Sequence, residues 1–168
     1  MKNVELSKNY LNYSSISRCV KDDSSSWHLF CLYSGKCCCS SVNVSLNKIY
    51  RRSGIICYPC VSSNSVTCSL SYSTFADNHA NSHNCICFWV VGAIYETKSC
   101  NILRNTQGGA YSQGTFHTRG NLNIDDSCII GNTADYIFTV SSSPYTITIS
   151  NCTVDKTSNN GYLTIQNT

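Results

Sequence analysis

The sequence predicts an all-β chain whose strands stack turn upon turn as a solenoid. Three observations lead there. The first is composition. Of 168 residues only two are Glu and five Ala, and 12% are charged, so the residues that fill helix surfaces are missing. Ser, Asn and Thr supply 59 residues, while Leu, Ile, Val and Phe supply 38, just above the ~20% below which a chain stays disordered. The second is strand-like alternation, as in Leu122-Asn-Ile124, Ile147-Thr-Ile149 and Leu163-Thr-Ile165. The third is that this alternation recurs in register, which is the signature of a repeat array.

Five copies of apolar-x-apolar-x-x-(Ser/Cys/Val)-x-apolar-x-x-(Asn/Thr) align without gaps. The first runs through Cys37, Cys39, Val42, Val44 and Asn47, and the second through Cys68, Leu70, Ser73, Phe75 and Asn78. The third uses Tyr95, Thr97, Cys100, Ile102 and Asn105, and the fourth Leu122, Ile124, Ser127, Ile129 and Asn132. The fifth uses Ile147, Ile149, Cys152, Val154 and Thr157, and a sixth begins at Leu163 and Ile165. Starts at 37, 68, 95, 122 and 147 give a period of 25 to 31 residues. The sixth start comes only 16 residues later, which is short for a full turn.

Each copy reads as strand, corner, strand. Period-2 alternation buries one face of a strand. The residues between the two pieces, Ser40-Ser41, Ser71-Tyr72, Lys98-Ser99, Asp125-Asp126 and Ser150-Asn151, are nearly all polar, as a solvent-facing corner requires. Stacking puts equivalent residues one strand spacing apart, ~4.8 Å. Asn side chains at that spacing can bond up and down the stack as a ladder, while the apolar positions merge into one core. Gly followed by β-formers hints at third strands at Gly54–Tyr58, Gly92–Tyr95, Gly108–Tyr111 and Gly161–Leu163. Residues 1–36 hold no convincing copy and are expected to be an irregular N-terminal cap to repeats over 37–168, with His28–Tyr33 as one strand.

Phe75-Ala-Asp-Asn78, with Ile102-Leu-Arg-Asn105 and Ile129-Ile-Gly-Asn132 as Ile variants, is followed downstream by Gly108-Gly-Ala-Tyr111. In these motifs the chain resembles the right-handed parallel β-helix repeats of polymorphic outer-membrane proteins, and similar Cys- and Asn-rich repeats in surface proteins of trichomonad parasites. The resemblance covers about residues 37–168. It implies a β-helix of about five coils and a surface or secreted, adhesin-like role without enzymatic activity.

Other classes are bounded by simpler observations. No apolar run reaches the 18 to 20 residues of a membrane-spanning helix. The twelve Lys and Arg are scattered, with only Arg51-Arg52 adjacent, so nucleic acid is not an expected partner. The first twenty residues carry no apolar core of a secretory leader. Location then reads in two ways: export as part of a longer protein, or the cytoplasm.

The chemistry-bearing motifs each have a bland reading that outweighs the sharp one. Asp125-Asp126 is the only adjacent acidic pair in the repeats, and a glycosidase needs two convergent carboxylates. Adjacent strand residues point to opposite faces, and His117 lies upstream without the Arg-x-Lys that polygalacturonases carry. Cys57-x-x-Cys60 and His79-x-x-x-His83 resemble a zinc finger in order, with Cys85 and Cys87 nearby. The eighteen residues between the pairs exceed the usual ~12 to 15 and include the second copy. No nucleophile motif joins His28, His79, His83 or His117 to a Ser or Cys. No catalytic residue, cofactor or metal ligand is therefore assigned. Three glycosylation sequons occur, at Asn12, Asn43 and Asn151.

Thirteen cysteines is an odd number, so one chain cannot pair them all. Cys37, Cys39, Cys68, Cys100 and Cys152 fall on inward positions, where thiols act as small hydrophobes. Stacked parallel Cβ atoms at ~4.8 Å are too far apart for a disulfide, which needs about 3.8 Å. Cys19, Cys31, Cys38, Cys57, Cys60, Cys85, Cys87 and Cys128 remain open to pairing or ligation. The expected function is binding, to a host or glycan surface, through the stacked face rather than a pocket, with self-stacking at an open C-terminal coil. The alternatives are a carbohydrate-active, pectin-lyase-like fragment and a truncated repeat without independent function.

Overall fold

A computed structural model describes residues 8–21, 28–59, 66–83, 85–108, 114–141 and 145–166. Every regular element among them is a strand, and every strand pairing is parallel. The chain is the parallel β-helix the repeats predict, with about five full turns between Lys8 and Val140.

Each turn visits four sheets. The seven-stranded sheet stacks Lys8–Asn12, Lys36–Ser40, Val66–Ser71, Ile94–Lys98, Asn121–Asp125, Thr146–Ser150 and Tyr162–Gln166. The six-stranded sheet stacks Ser15–Ser17, Asn43–Ser45, Thr74–Ala76, Asn101–Leu103, Cys128–Ile130 and Thr153–Val154. A four-stranded sheet of two-residue strands follows (Val20–Lys21, Lys48–Ile49, His79–Ala80, Thr106–Gln107). The five-stranded sheet closes the turn with His28–Tyr33, Arg52–Tyr58, Ile86–Phe88, Phe116–Thr118 and Phe138–Val140.

The gapless alignment is the observed register. Cys37 pairs with Cys68, Cys68 with Tyr95, Tyr95 with Leu122, and Leu122 with Ile147. On the next sheet Val44, Phe75, Ile102, Ile129 and Val154 are successive neighbours. These inward columns form one continuous core. The sixth copy also holds: Leu163 pairs with Ile147 and Ile165 with Ile149. Its turn is short because the four-stranded sheet is skipped and the five-stranded sheet is reduced to a single Phe138–Asn159 bridge.

The corners take a left-handed backbone. Tyr13, Ser41, Tyr72, Ser99, Asp126 and Asn151 have φ between 50° and 57° at the first corner, and Arg18, Leu46, Asp77 and Arg104 between 51° and 57° at the second. Such residues cost about 1–2 kcal/mol each outside Gly. Bonding to the next turn offsets that cost: the Tyr72 N–H donates to the Lys98 carbonyl and the Asp77 N–H to the Leu103 carbonyl, both at 3.0 Å.

The asparagine ladder is present and buried, at 0–1% exposure for Asn47, Asn78, Asn105 and Asn132. Each amide donates from Nδ2 to the Oδ1 of the next, at 2.9 Å from Asn47 to Asn78, 2.9 Å from Asn78 to Asn105 and 3.0 Å from Asn105 to Asn132. The second Nδ2 hydrogen goes to a carbonyl of the preceding turn, such as Phe75 from Asn105. Each Oδ1 also accepts the backbone N–H of the asparagine below it. Both donors and both lone pairs of the inner amides are thus used. A second ladder at the first corner uses Ser and Cys interchangeably. Ser73 and Ser127 Oγ accept the N–H groups of Val42 and Cys100 (3.1 Å each), and Cys152 Sγ accepts that of Ser127 (3.3 Å).

Two expectations change. The expected irregular stretch 1–36 contains a further turn: Leu11 pairs with Cys39, Ile16 with Val44, and His28–Tyr33 joins the five-stranded sheet. Its motif is hidden because Asn9 stands at the first apolar position and Cys19 at the ladder position, where only its backbone N–H bonds Asn47 Oδ1. Among the Gly-led third strands, Gly54–Tyr58 lies in Arg52–Tyr58. Gly92 and Gly161 instead lead into Ile94–Lys98 and Tyr162–Gln166, the starts of new copies, and residues 109–111 lie outside the described residues. The later third strands are buried triplets, covered on both faces, so they show no alternation. Gly54 and Gly120 mark close backbone approach: a Cβ there would collide with the carbonyls of Cys85 and Ala93.

Asn105→Ala strips the acceptor from two buried donors of Asn78 and the donor from Asn132 Oδ1. The expected loss is about 2–4 kcal/mol, read as a lowered urea midpoint, while exposed Asn101→Ala stays within about 0.5 kcal/mol. Thr97 occupies the column of Leu70 and Ile124, fully buried, with no partner for Oγ1. Thr97→Val is expected to raise stability by about 1 kcal/mol in the same assay.

Candidate functional site

Alternation that buries one face of the seven-stranded sheet exposes the other. Three outward columns follow from the register. One runs Tyr10, Cys38, Ser69, Glu96, Asn123, Thr148 and Thr164, and the next runs Asn12, Ser40, Ser71, Lys98, Asp125, Ser150 and Gln166. The third is formed by Val66, Ile94, Asn121, Thr146 and Tyr162, and a register shift beyond Val66 separates it from the Lys8–Lys36 pair. A shallow groove of about 340 Å³ crosses this face, lined by Ile94, Asn121, Asn123, Thr146 and Thr148.

Asp125 stands in the second column, between Lys98 and Ser150. Its carboxylate accepts hydrogen bonds from Asn151 Nδ2 (3.0 Å) and Ser150 Oγ (3.1 Å) and pairs with Lys98 Nζ (3.5 Å). The Asn151 bond, then Ser150 and Lys98, hold it below the usual carboxylate range. Asp126 sits in the corner and accepts from Ser99 Oγ at 2.7 Å. The two acids therefore have separate partners. His117 is on the five-stranded sheet, 6% exposed, with Nδ1 3.0 Å from Thr139 Oγ1 and its ring 5.7 Å from Trp89. The structure does not bring it onto the face that carries Asp125.

The zinc-like spacing does not assemble either. Cys57 is a core residue of the five-stranded sheet, and Cys60 lies outside the described residues. His79 Nε2 meets Asn81 Oδ1 at 2.8 Å, and His83 Nδ1 meets Ser82 Oγ at 2.7 Å. Among the described residues no three His, Cys, Asp or Glu side chains group to hold a metal. Cys37, Cys38 and Cys39 alternate buried, half-buried, buried, as a strand dictates.

The described cysteines are all free thiols. Four of the five expected inward thiols are buried; Cys152, on the last corner, is half-buried because no full turn covers it. Cys57, Cys85 and Cys87 join the buried set, and only Cys19 and Cys31 are exposed. Burial pushes Cys85 up to about 12 and Cys100 up to about 11, and pushes Cys68 well above the ordinary thiol value.

Two surface features escaped the sequence reading. Tyr33, Tyr58 and Trp89 stack up the outside of the five-stranded sheet, with ring centroids 5.4 and 6.4 Å apart, and the Arg119 guanidinium lies 5.0 Å over Trp89. Their numbers, 33, 58, 89 and 119, step by roughly one repeat, which is the signal that could have found them. A cleft of about 260 Å³ is lined by Tyr50, Arg51, Ser82 and His83, contributed by neighbouring turns, and no motif announces it.

A neutral thiol is favoured by folding wherever its folded pKa is raised. That stabilisation is complete below the unfolded thiol value of about 8.5 and is lost as pH climbs toward the folded values near 11 and 12. Melting temperature is therefore expected to be flat from pH 6 to 8 and to fall steadily above about pH 9. At pH 8 a maleimide is expected to label exposed Cys19, to label Cys31 more slowly because burial raises its thiol, and to leave Cys85 and Cys100 unmodified until the chain is denatured, read by peptide mass mapping. Compared with protein-family models, curated proteins and solved structures, the chain matches none.

Proposed function

We propose that the chain is a non-enzymatic binding module, working at a cell surface or after secretion, that holds an extended hydroxyl-rich polymer such as a glycan along its seven-stranded face. One observation carries the reading: seven parallel strands, in register apart from one bulge where Val66 faces Ile94, present outward columns dominated by Ser, Thr, Asn and a few charged groups. Hydroxyl and amide side chains both donate and accept, as sugar hydroxyls do. Repetition at ~4.8 Å lets many weak contacts act on one ligand at once. The groove over Asn121, Asn123, Thr146 and Thr148 gives such a polymer a place to lie.

The test is a titration of the chain against immobilised neutral and uronate polysaccharides. Thr148→Arg, a bulky charge in the groove of this face, is expected to weaken binding roughly tenfold, equivalent to about 1.4 kcal/mol. Thr74→Arg on the six-stranded sheet is expected to leave it unchanged. Absence of binding to every polymer, or equal loss from both variants, overturns the reading.

A further inference from the structure

The three sequons are far apart in sequence, and the fold gathers them. Asn12 ends the strand Lys8–Asn12, Asn43 opens the strand Asn43–Ser45, and Asn151 is the left-handed residue (φ 52°) of the last first-corner turn. All three therefore lie at the corner between the seven- and six-stranded sheets, and all three are exposed. The other three corners carry none. The buried ladder asparagines are followed two residues on by Ile49, Ala80, Gln107 and Ala134, so none of them is an acceptor sequence.

We propose that this corner is a rail of N-linked glycans attached at Asn12, Asn43 and Asn151. The residues after each Asn are Tyr-Ser, Val-Ser and Cys-Thr, giving the required hydroxyl and no Pro. In the transfer, Asn Nδ2 displaces the pyrophosphate of a lipid-linked oligosaccharide at the first sugar carbon. The N–C bond forms, the C–O bond to pyrophosphate breaks, and one Nδ2 proton leaves; nothing is oxidised or reduced. The N–H that remains after transfer can keep the bond from Asn151 to Asp125, at 3.0 Å. Ser14 Oγ bonds the Asn12 carbonyl (2.9 Å), leaving the Asn12 amide uninvolved in that contact. Asn12 and Asn43 are on adjacent turns at one end, and Asn151 is near the other. The corners Ser71-Tyr72, Lys98-Ser99 and Asp125-Asp126 between them carry no sugar. The proposal shares with the proposed function the export of the chain and does not depend on the binding face.

The test is cell-free translation of the full chain behind a secretory leader, with and without rough microsomes. Three stepwise gel retardations, removed by endoglycosidase, are expected. Ser14→Ala, Ser45→Ala and Thr153→Ala should each abolish one step while every Asn stays in place. The glycosylated chain should resist protease as the unglycosylated chain does. No retardation, a step that survives all three hydroxyl variants, or protease sensitivity appearing with the sugars overturns the proposal. A negative polysaccharide titration leaves this result untouched, and intact glycosylation leaves that one untouched.

Discussion

Backbone N–H and C=O groups in a parallel coil point along the solenoid axis, so each turn can be satisfied only by the turns above and below it. Register is therefore the constraint from which the rest follows. A slip of one residue would turn the inward columns of Cys, Leu, Ile and Phe to solvent. It would also dissolve the amide chain through Asn47, Asn78, Asn105 and Asn132, whose inner members satisfy both donors and both lone pairs only when stacked in line. The left-handed corners depend on the same alignment, because the N–H groups from Tyr13 through Asp126 at the first corner and from Arg18 through Arg104 at the second find their carbonyls on the next turn.

What could be read in the sequence was whatever repeats with a two-residue alternation. The seven- and six-stranded sheets, their polar corner and the ladder all satisfy that condition, and the outward face of the larger sheet came with them. The first turn was illegible because it keeps the geometry while losing the letters: Asn9 faces the column of Cys37, and Cys19 contributes only its backbone to the ladder. The triplets Ile86–Phe88, Phe116–Thr118 and Phe138–Val140 were illegible for the opposite reason, being buried on both faces. The cleft at Tyr50, Arg51, Ser82 and His83 depends on two neighbouring turns meeting at an irregular corner, which no single segment encodes.

The cysteine content is absorbed by packing. Seven of the described thiols are buried in the stack or against its sheets. At the first corner Cys100 and Cys152 stand where Ser73 and Ser127 stand in other turns. There Sγ, like Oγ, points at the carbonyl two residues back, 3.2 and 3.0 Å for the thiols and 2.8 Å for each hydroxyl. A small side chain with one weak donor is what that site asks for, and either atom supplies it.

Among the described turns the amide chain ends at Asn132 on one side and, on the other, at Cys19, which contributes only its backbone N–H. Cohesion in such a stack is a sum of nearest-neighbour terms rather than a property of one global core. The turns between Asn47 and Asn132 are joined to their neighbours by this amide chain, whereas the described turn from Thr146 to Gln166 carries no ladder asparagine and no strand in the four-stranded sheet. The molecule thus behaves as a spring wound tightest at its middle. Thermal motion and mechanical load meet most resistance where the amide chain runs and least in the described turn that lacks it.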